Sequence, residues 1–363
     1  MGKFRKIGVL TSGGDAPGMN AVIRAVVRKA IKEEIEVVGI VGGYHGLIHD
    51  RIIPLDAKSV SNIINKGGTF LYSNRCLSFK TEEGMQKAIE VCKKHEIDAI
   101  VAIGGDGTFR GATDLSLRGI PTIGVAGTID NDITATDYTV GFDTAMNTTM
   151  EIIDKLRDTC ESHTRCNIVE IMGRDCGQLA LMSGVAGGAV DIFVPEIPFD
   201  EDAVIDNIKQ AKKMGKRGMI IAVSEGVFTV DDKGNKVPYG ELLTKKIDET
   251  GEIEARFVRL AHIVRGGSPT VRDRVTATKM GVYAVELLLD GKSNRVVIEE
   301  DGRIDSMDIV FALTLDKVYK KKLTFEEIEK DFTAEQIAEM KRIIAKRERE
   351  NEELYALMHI TCR

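Results

Sequence analysis

The sequence predicts an α/β fold built on parallel sheets. Three observations carry that expectation: short runs of buried-type residues alternate with three- and four-residue apolar spacing, glycine-rich turns follow several of the runs, and the chain is long enough for two cores. It has 363 residues, which at ~150 per domain leaves room for about two. Hydrophobic residues make up 43% and charged residues 29%, with 36 Gly, 7 Pro and no Trp, a composition that excludes disorder, collagen and fibre. Fifty basic residues against 56 acidic ones leave a net charge of −6. No basic polyanion-binding face is therefore expected, neither nucleic acid nor membrane is an expected partner, and a phosphate has to be gripped by local arginines.

The first strand is predicted over 7–10, then a helix over 17–34 and a strand over 37–41. Met19, Val22, Ile23, Val26, Val27, Ala30 and Ile31 give that helix one apolar face to lay on a sheet. Further strands are predicted at 99–103, 122–125, 167–171, 191–194, 219–223 and 257–263, with helices at 82–95, 144–161 and 204–214. This cadence covers parallel sheets with helices on both faces and puts ligands beyond the carboxyl ends of the strands. No Pro- or Ser-rich linker interrupts the chain, and the first domain crossing is placed near Val140. Residues 227–239, with Asp-Lys-Gly-Asn and Pro238, read as a surface hairpin or loop. The charge-rich tail over 324–358 reads as one or two amphipathic helices packed on the body or on a partner chain.

The longest uncharged apolar stretches reach about ten residues, short of the ~20 a membrane helix needs. The opening residues lack a signal-peptide core, so a cytoplasmic location is expected. Cys76, Cys92, Cys160, Cys166, Cys176 and Cys362 form no CxxC pair and no zinc spacing, and read as reduced structural thiols.

Three turns carry the chemistry. Thr11-Ser12-Gly13-Gly14-Asp15-Ala16-Pro17-Gly18 joins a strand to a helix, where bare amides and a helix N-terminus suit a phosphate. It is not a P-loop, because Asp15 stands where the lysine belongs; a tight turn without ligand is the alternative. The chain's Gly291-Lys292-Ser293 follows a predicted helix over 282–290 and reads as its C-cap. Gly104-Gly105-Asp106-Gly107-Thr108 sets a carboxylate among backbone amides, which suits a cation bridging phosphates; a plain helix N-cap is the alternative. Gly127-Thr128-Ile129-Asp130-Asn131-Asp132 places two carboxylates two residues apart, one able to take a hydroxyl proton and the other to orient it. Asx-turn chemistry alone also selects such a run. Arg75 follows Gly67-Gly68-Thr69, Arg165 and Arg174 flank the strand over 167–171, and Arg256, His262 and Arg265 lie downstream; arginine binds phosphate oxygens bidentately. A lone arginine is more often a surface ion-pair partner.

IGVLTSGGDAPGMN, GGTFL with Arg75, GGDGT, GTIDND with DYTVGFDTA, the VEIMGR run and HIVRGGSP resemble, in this order, the bacterial-type 6-phosphofructokinases. The resemblance implies phosphoryl transfer from MgATP to the C1 hydroxyl of fructose 6-phosphate. It implies two similar three-layer, Rossmann-like α/β/α domains with mostly parallel sheets, the active site in the cleft between them, and a homotetramer with shared sites. Residues 1–140 with 264–312 would form the nucleotide domain, 141–263 with 313–325 the sugar-phosphate domain, and 326–363 a helical extension. By the same resemblance Asp130 matches the general base, Asp132 its supporting carboxylate, and Asp106 the magnesium ligand. Gly14, Tyr44, Arg75, Gly105, Gly107 and Thr108 match the nucleotide site, with Arg75 placed to stabilise the transferring phosphoryl group, while Cys76 stands where the family has an aromatic residue beside the adenine. Thr128, Ile129, Met172, Gly173, Arg174 and Glu225 match positions around the sugar. His262, Ile263, Val264 and Arg265 match its 6-phosphate site, while Arg165 and Arg256 match arginines reaching in from a neighbouring subunit.

Pyrophosphate-using relatives carry Asp where Gly107 stands and Lys where Gly127 stands, so ATP is the expected donor and pyrophosphate the alternative; a non-catalytic nucleotide-sensing subunit is a more distant one. Arg24, Arg28, Arg157, Lys216 and Arg217 match an effector site for ADP and phosphoenolpyruvate. Val190, Ala57, Met214 and Gly218 replace its polar or metal-binding partners, which implies weak or altered allosteric control.

Overall fold

The computed structural model describes residues 4–199, 201–230 and 234–361. In chain order the strands are β1 (Lys6–Thr11), β2 (Glu36–Ile40), β3 (Ile52–Leu55), β4 (Ala99–Gly104), β5 (Thr122–Ala126), β6 (Arg165–Ile171), β7 (Asp191–Phe193), β8 (Met219–Ser224), β9 (Phe228–Val230), β10 (Lys236–Pro238), β11 (Glu254–Arg259), β12 (Arg295–Glu300) and β13 (Arg303–Asp308). The helices are α1 (Met19–Lys32), α2 (Gly43–Ile48), α3 (Glu82–Lys94), α4 (Asp106–Leu117), α5 (Phe142–His163), α6 (Gln178–Ala186), α7 (Glu201–Lys213), α8 (Tyr239–Glu249), α9 (Val271–Leu289), α10 (Ile309–Tyr319), α11 (Phe325–Ile328) and α12 (Ala334–Thr361). Two compact units divide the chain: residues 1–129, 133–144 and 265–344 in the first, and 130–132, 145–264 and 345–363 in the second.

The first unit holds a seven-stranded sheet ordered β13-β12-β5-β4-β1-β2-β3. Its five central strands are parallel, and β3 and β13 pair antiparallel at the two edges. β1 and β4 are almost wholly buried, as two-sided helical cover requires. Leu10, Ile100 and Ala102 share a cluster with Ala88 of α3, Phe109 and Leu115 of α4 and Leu315 of α10. Side chains alternate along a strand, and α1 and α9 pack on each other and against β1, β4 and β5.

The second unit carries an all-parallel sheet ordered β11-β6-β8-β7. Its core gathers Ile168, Phe193, Val204, Ile221, Val223, Tyr239 and Leu243. The α/β class with mostly parallel, helix-covered sheets is thus what the periodicity predicts. β9 and β10 form an antiparallel hairpin where a hairpin or loop is expected; Asp231, Asp232 and Lys233 of that turn lie outside the described residues.

Four expectations are corrected. The strand expected over 257–263 is β11, which ends at Arg259, and residues 261–265 turn as a 3-10 helix. Ala261 there has φ +46, which no strand accommodates. The helix expected from 282 starts at Val271, with the Thr270 hydroxyl accepting from the Asp273 amide; its polar first turns hide it from an apolar count. Gly291, with φ +72, closes that helix as expected. Residues 313–325, expected in the second domain, lie in the first unit, because Leu315 and Val318 are buried in the first core. Nor is the tail a separate extension: Ile328, Met340 and Ile343 enter the first core, and 345–361 belong to the second unit.

Cys76, Cys92, Cys160, Cys166 and Cys176 are free thiols; Cys362 lies outside the described residues. Among the described residues no helix is long and apolar enough to cross a membrane.

Candidate functional site

The three turns with glycines and carboxylates each leave the carboxyl end of a parallel strand, β1, β4 and β5. In the first unit β1 ends in the turn carrying Gly13 and Gly18, whose φ values of +87 and +106 are ones that glycine adopts freely. The Ser12 amide donates to the Ile103 carbonyl at 3.0 Å, and the Thr108 hydroxyl donates to the Ser12 carbonyl at 3.0 Å. The two glycine-rich turns are therefore stitched together. A pocket of about 510 Å³ opens beside them, lined by Gly13, Gly14, Gly42, Arg51, Ser73 and Asn74 among others. Arg75 and Cys76 follow those lining residues, Arg75 exposed and Cys76 partly buried.

Asp106 opens α4 with Gly105 as N-cap. A Cβ built on Gly107 meets nothing within 4 Å, and one on Gly105 meets only the Thr128 Cβ at 4.0 Å, so open space lies beside the turn. The Asp106 carboxylate pairs with Arg110 at 2.6 Å and is 30% exposed. Among the described residues no group of three or more His, Cys, Asp or Glu could form a metal cage. That donor set fits magnesium, which takes one or two carboxylates and completes its shell with phosphate oxygens and water.

Tyr44 stands apart from its expected role. It is 4% exposed, stacks on Phe79 at 4.1 Å and donates its hydroxyl to the Thr108 carbonyl at 2.6 Å. It braces the second turn from behind, and burial pushes its phenol far above the usual range. Arg265, expected at the sugar phosphate, is 8% exposed and donates to the Asp15 carbonyl at 3.3 Å. A Cβ on Gly14 would come within 2.7 Å of its Nη1, so glycine at 14 makes room for that guanidinium.

The third turn is held from both sides. The Gly127 amide donates to Gly104 O at 3.0 Å, and the Thr139 hydroxyl donates to the Thr128 carbonyl at 2.6 Å. Thr128 and Ile129 are buried. Downstream, Asp273 accepts from the Tyr138 hydroxyl, the Gly141 amide and both the amide and hydroxyl of Thr144. This knot fixes the strand-like stretch behind the turn, and the sequence gives no motif by which to find Asp273.

Asp130, Asn131 and Asp132 belong to the second unit. Asp130 is 2% exposed at its side chain, with its Oδ2 3.4 Å from Nε of Arg174. Arg174 leaves β6 through Met172 and Gly173. Glu225, following β8, accepts from the amides of Gly173 at 3.1 Å and Arg174 at 2.8 Å, which makes it a brace for this turn. Asn131 and Arg174 both have left-handed backbone, φ +48 and +54, a conformation held by surrounding contacts and common at working sites. His262 and Ile263 are exposed on the short turn after β11, and Val264 is buried.

Arg165 and Arg256 are not brought to this end of the sheet. Arg165 begins β6 and pairs with Glu254, which begins β11, at 2.6 Å; Arg256 pairs with the same carboxylate. At ~3.3 Å per residue, β6 separates Arg165 from the Met172–Arg174 turn by roughly 20 Å.

Comparison with known proteins agrees with this geometry. The family profile described as Phosphofructokinase matches residues 6–288. A Clostridioides difficile protein named ATP-dependent 6-phosphofructokinase is 52% identical over 318 residues, 88% of this chain and 97% of that one. One from Clostridium perfringens, named ATP-dependent 6-phosphofructokinase 1, is 51% identical over 320 residues, again 88% and 97%. The structure of phosphofructokinase from Saccharomyces cerevisiae matches with TM-score 0.81 and 32% identity over 87% of this chain, which spans only 46% of the yeast chain.

Proposed function

The chain belongs to the phosphofructokinase family, and on that premise we propose how its turns share the work of moving a phosphoryl group from ATP to fructose 6-phosphate. The transfer itself follows from relatives at half identity that are named for it and covered almost end to end. Asp130 is the general base, taking the proton of the sugar's C1 hydroxyl. The Asp130–Arg174 pair carries this reading: a buried carboxylate at the mouth of a turn, its Oδ2 3.4 Å from a guanidinium. Asp132 and Thr128 orient the attacking hydroxyl. Arg75 neutralises charge on the transferring group.

The amides of Gly14, Gly105 and Gly107, with Thr108, hold the nucleotide's phosphates, and Cys76 lies beside its base. Asp106 would hold magnesium through one carboxylate, and the ion when bound neutralises charge on the phosphate oxygens. Met172, Gly173, Arg174 and Glu225 shape the sugar site. His262 and Arg265 hold the 6-phosphate, with Ile263 and Val264 between them, and Arg265 must swing from the Asp15 carbonyl to do so. Arg165 and Arg256 sit at the wrong end of their own sheet for that task and serve a neighbouring copy in a homotetramer, placed in the cytoplasm. ATP is preferred to pyrophosphate because Gly107 leaves open space, whereas a side chain at Gly127 would press on Ile103 and Met19 at 3.2 and 3.3 Å.

Allosteric control by a nucleotide or phosphoenolpyruvate is weak. Arg157 donates to the carbonyls of Gly187 and Gly188, Val190 is buried in the core, and Met214 offers 73% exposed apolar surface.

The test is Asp130→Asn. Losing a general base costs about 10²- to 10⁴-fold in rate, so kcat should fall by that factor while KM for fructose 6-phosphate changes little. A raised KM with unchanged kcat would overturn the assignment.

A further inference from the structure

α12 lies outside the matched residues 6–288, and its residues 345–361 belong to the same unit as Asp130, Asn131 and Asp132. A side-chain relay joins the two. Asn131 Nδ2 donates to Gln178 Oε1 at 2.6 Å, and Gln178 Nε2 donates to Asn351 Oδ1 at 3.3 Å. Asn131 is the residue between the two carboxylates, in left-handed backbone at φ +48, where local hydrogen bonds decide whether the conformation is kept.

Arg347 lies one helical turn before Asn351, on the same face of α12. It is 5% exposed; its Nη1 lies 4.0 Å from the Glu350 carboxylate, and among the described residues its buried Nη2 finds no hydrogen-bond partner. Its charge is felt in the loop that follows Arg174: burial and then the Glu196 carboxylate push the Cys176 thiol up, Asp132 adds to this, and Arg347 opposes them. Arg347 and Asn351 thus place polar groups on a helix face that otherwise buries Met340, Ile343 and Met358, and Asn351 sets its amide against Gln178.

We propose that Asn351, acting through Gln178, is a positioning residue for phosphoryl transfer: the C-terminal helix fixes the Asn131 amide and with it the direction of the Asp130 carboxylate. The proposal rests on the reading of Asp130 as the base. The relay has a defined direction, each amide donating to the next oxygen, so an acceptor lost at 351 loosens the hold of Gln178 on the Asn131 side chain. Asp130 is one peptide bond away, and a proton acceptor works only within about 2.6–3.2 Å of its donor.

The test uses the full chain assayed with ATP and fructose 6-phosphate. Asn351→Leu removes the acceptor at similar volume; kcat should fall about five- to thirtyfold, with both KM values within about twofold and little change in melting temperature. Asn351→Asp keeps an acceptor oxygen and should recover kcat to within about threefold of the parent. Gln178→Met breaks the relay from the other side, and Asn351→Leu added to it should cost nothing further. Parental kcat in Asn351→Leu, equal losses in the Leu and Asp variants, or additive losses in the double variant would each overturn the proposal. So would a drop in melting temperature with unchanged kcat per folded molecule. A parent whose kcat survives Asp130→Asn instead refutes the base assignment, which separates the two failures.

Discussion

Donor choice can be challenged at one atom. Gly107 is the second residue of α4, and a Cβ there meets nothing within 4 Å. Gly107→Asp therefore needs no repacking and, inside a helix, gains a few tenths of a kcal/mol over glycine. The new carboxylate stands beside Asp106, in the space read as belonging to the nucleotide's phosphates. Two unit charges ~4 Å apart repel by about 4 kcal/mol at an effective dielectric of ~20. Asp106 is 30% exposed, so water enters this turn and screening halves the penalty to about 2 kcal/mol, or roughly thirtyfold in affinity. A coupled assay following fructose 1,6-bisphosphate should show KM for ATP raised at least about thirtyfold. KM for fructose 6-phosphate should hardly move. Gly107→Ala separates volume from charge, and its effect on ATP should be at least about tenfold smaller. A folded Gly107→Asp enzyme with the parental KM for ATP would refute both the placement of the phosphates and the case against pyrophosphate.

Two further outcomes follow from the same geometry. Asp273→Ala strips the acceptor from four donors in a fully buried knot, and urea unfolding should show a loss of about 3–5 kcal/mol. Burial, then the neighbouring His49 and Arg51 side chains, hold the His45 imidazole below its usual value. The folded chain thus binds fewer protons there than the unfolded one. The associated stability is complete above the unfolded value of 6.5 and is lost as pH falls through the lowered folded value. Melting temperatures should decline as the solution is acidified from neutrality, and His45→Gln should flatten that decline.

The three turns were legible because each pairs a buried strand with glycines and a carboxylate, a conjunction that a core alone has no need of. What escaped was whatever carries no apolar period. β13 alternates exposed Arg303 and Asp305 with half-buried Ile304 and buried Ser306, so with one apolar residue in its first four positions this edge strand reads like loop. Asp273 works by accepting backbone amides and hydroxyls, which leaves no residue pattern behind, and Glu225, named by resemblance, proves to brace a turn in the same way. Tyr44 was matched to the nucleotide site by resemblance alone; its ring stacks on Phe79 and its hydroxyl donates to the Thr108 carbonyl beneath the second turn. The tail's helical period was plain, but a charge-rich helix gives no sign of which polar face is buried. Arg347 and Asn351 became visible only through Gln178 and Cys176.

The position of Arg165 and Arg256 leads to one more experiment. Both pair with Glu254 near the amino ends of β6 and β11, while Arg174 and Asp130 lie past the carboxyl end of β6. No side chain spans the roughly 20 Å between the ends of a seven-residue strand. If these arginines touch substrate at all, they do so in another copy, and each complete site mixes residues from two chains. Arg256→Ala and Asp130→Asn should then each be poorly active alone at low fructose 6-phosphate. Refolded together as an equal mixture, they pair an intact Asp130 from one chain with an intact Arg256 from the other in about a quarter of sites. Activity should rise to about a quarter of the parent's. A mixture no more active than its better component would place every residue of the site within a single chain and remove the reason for a shared interface.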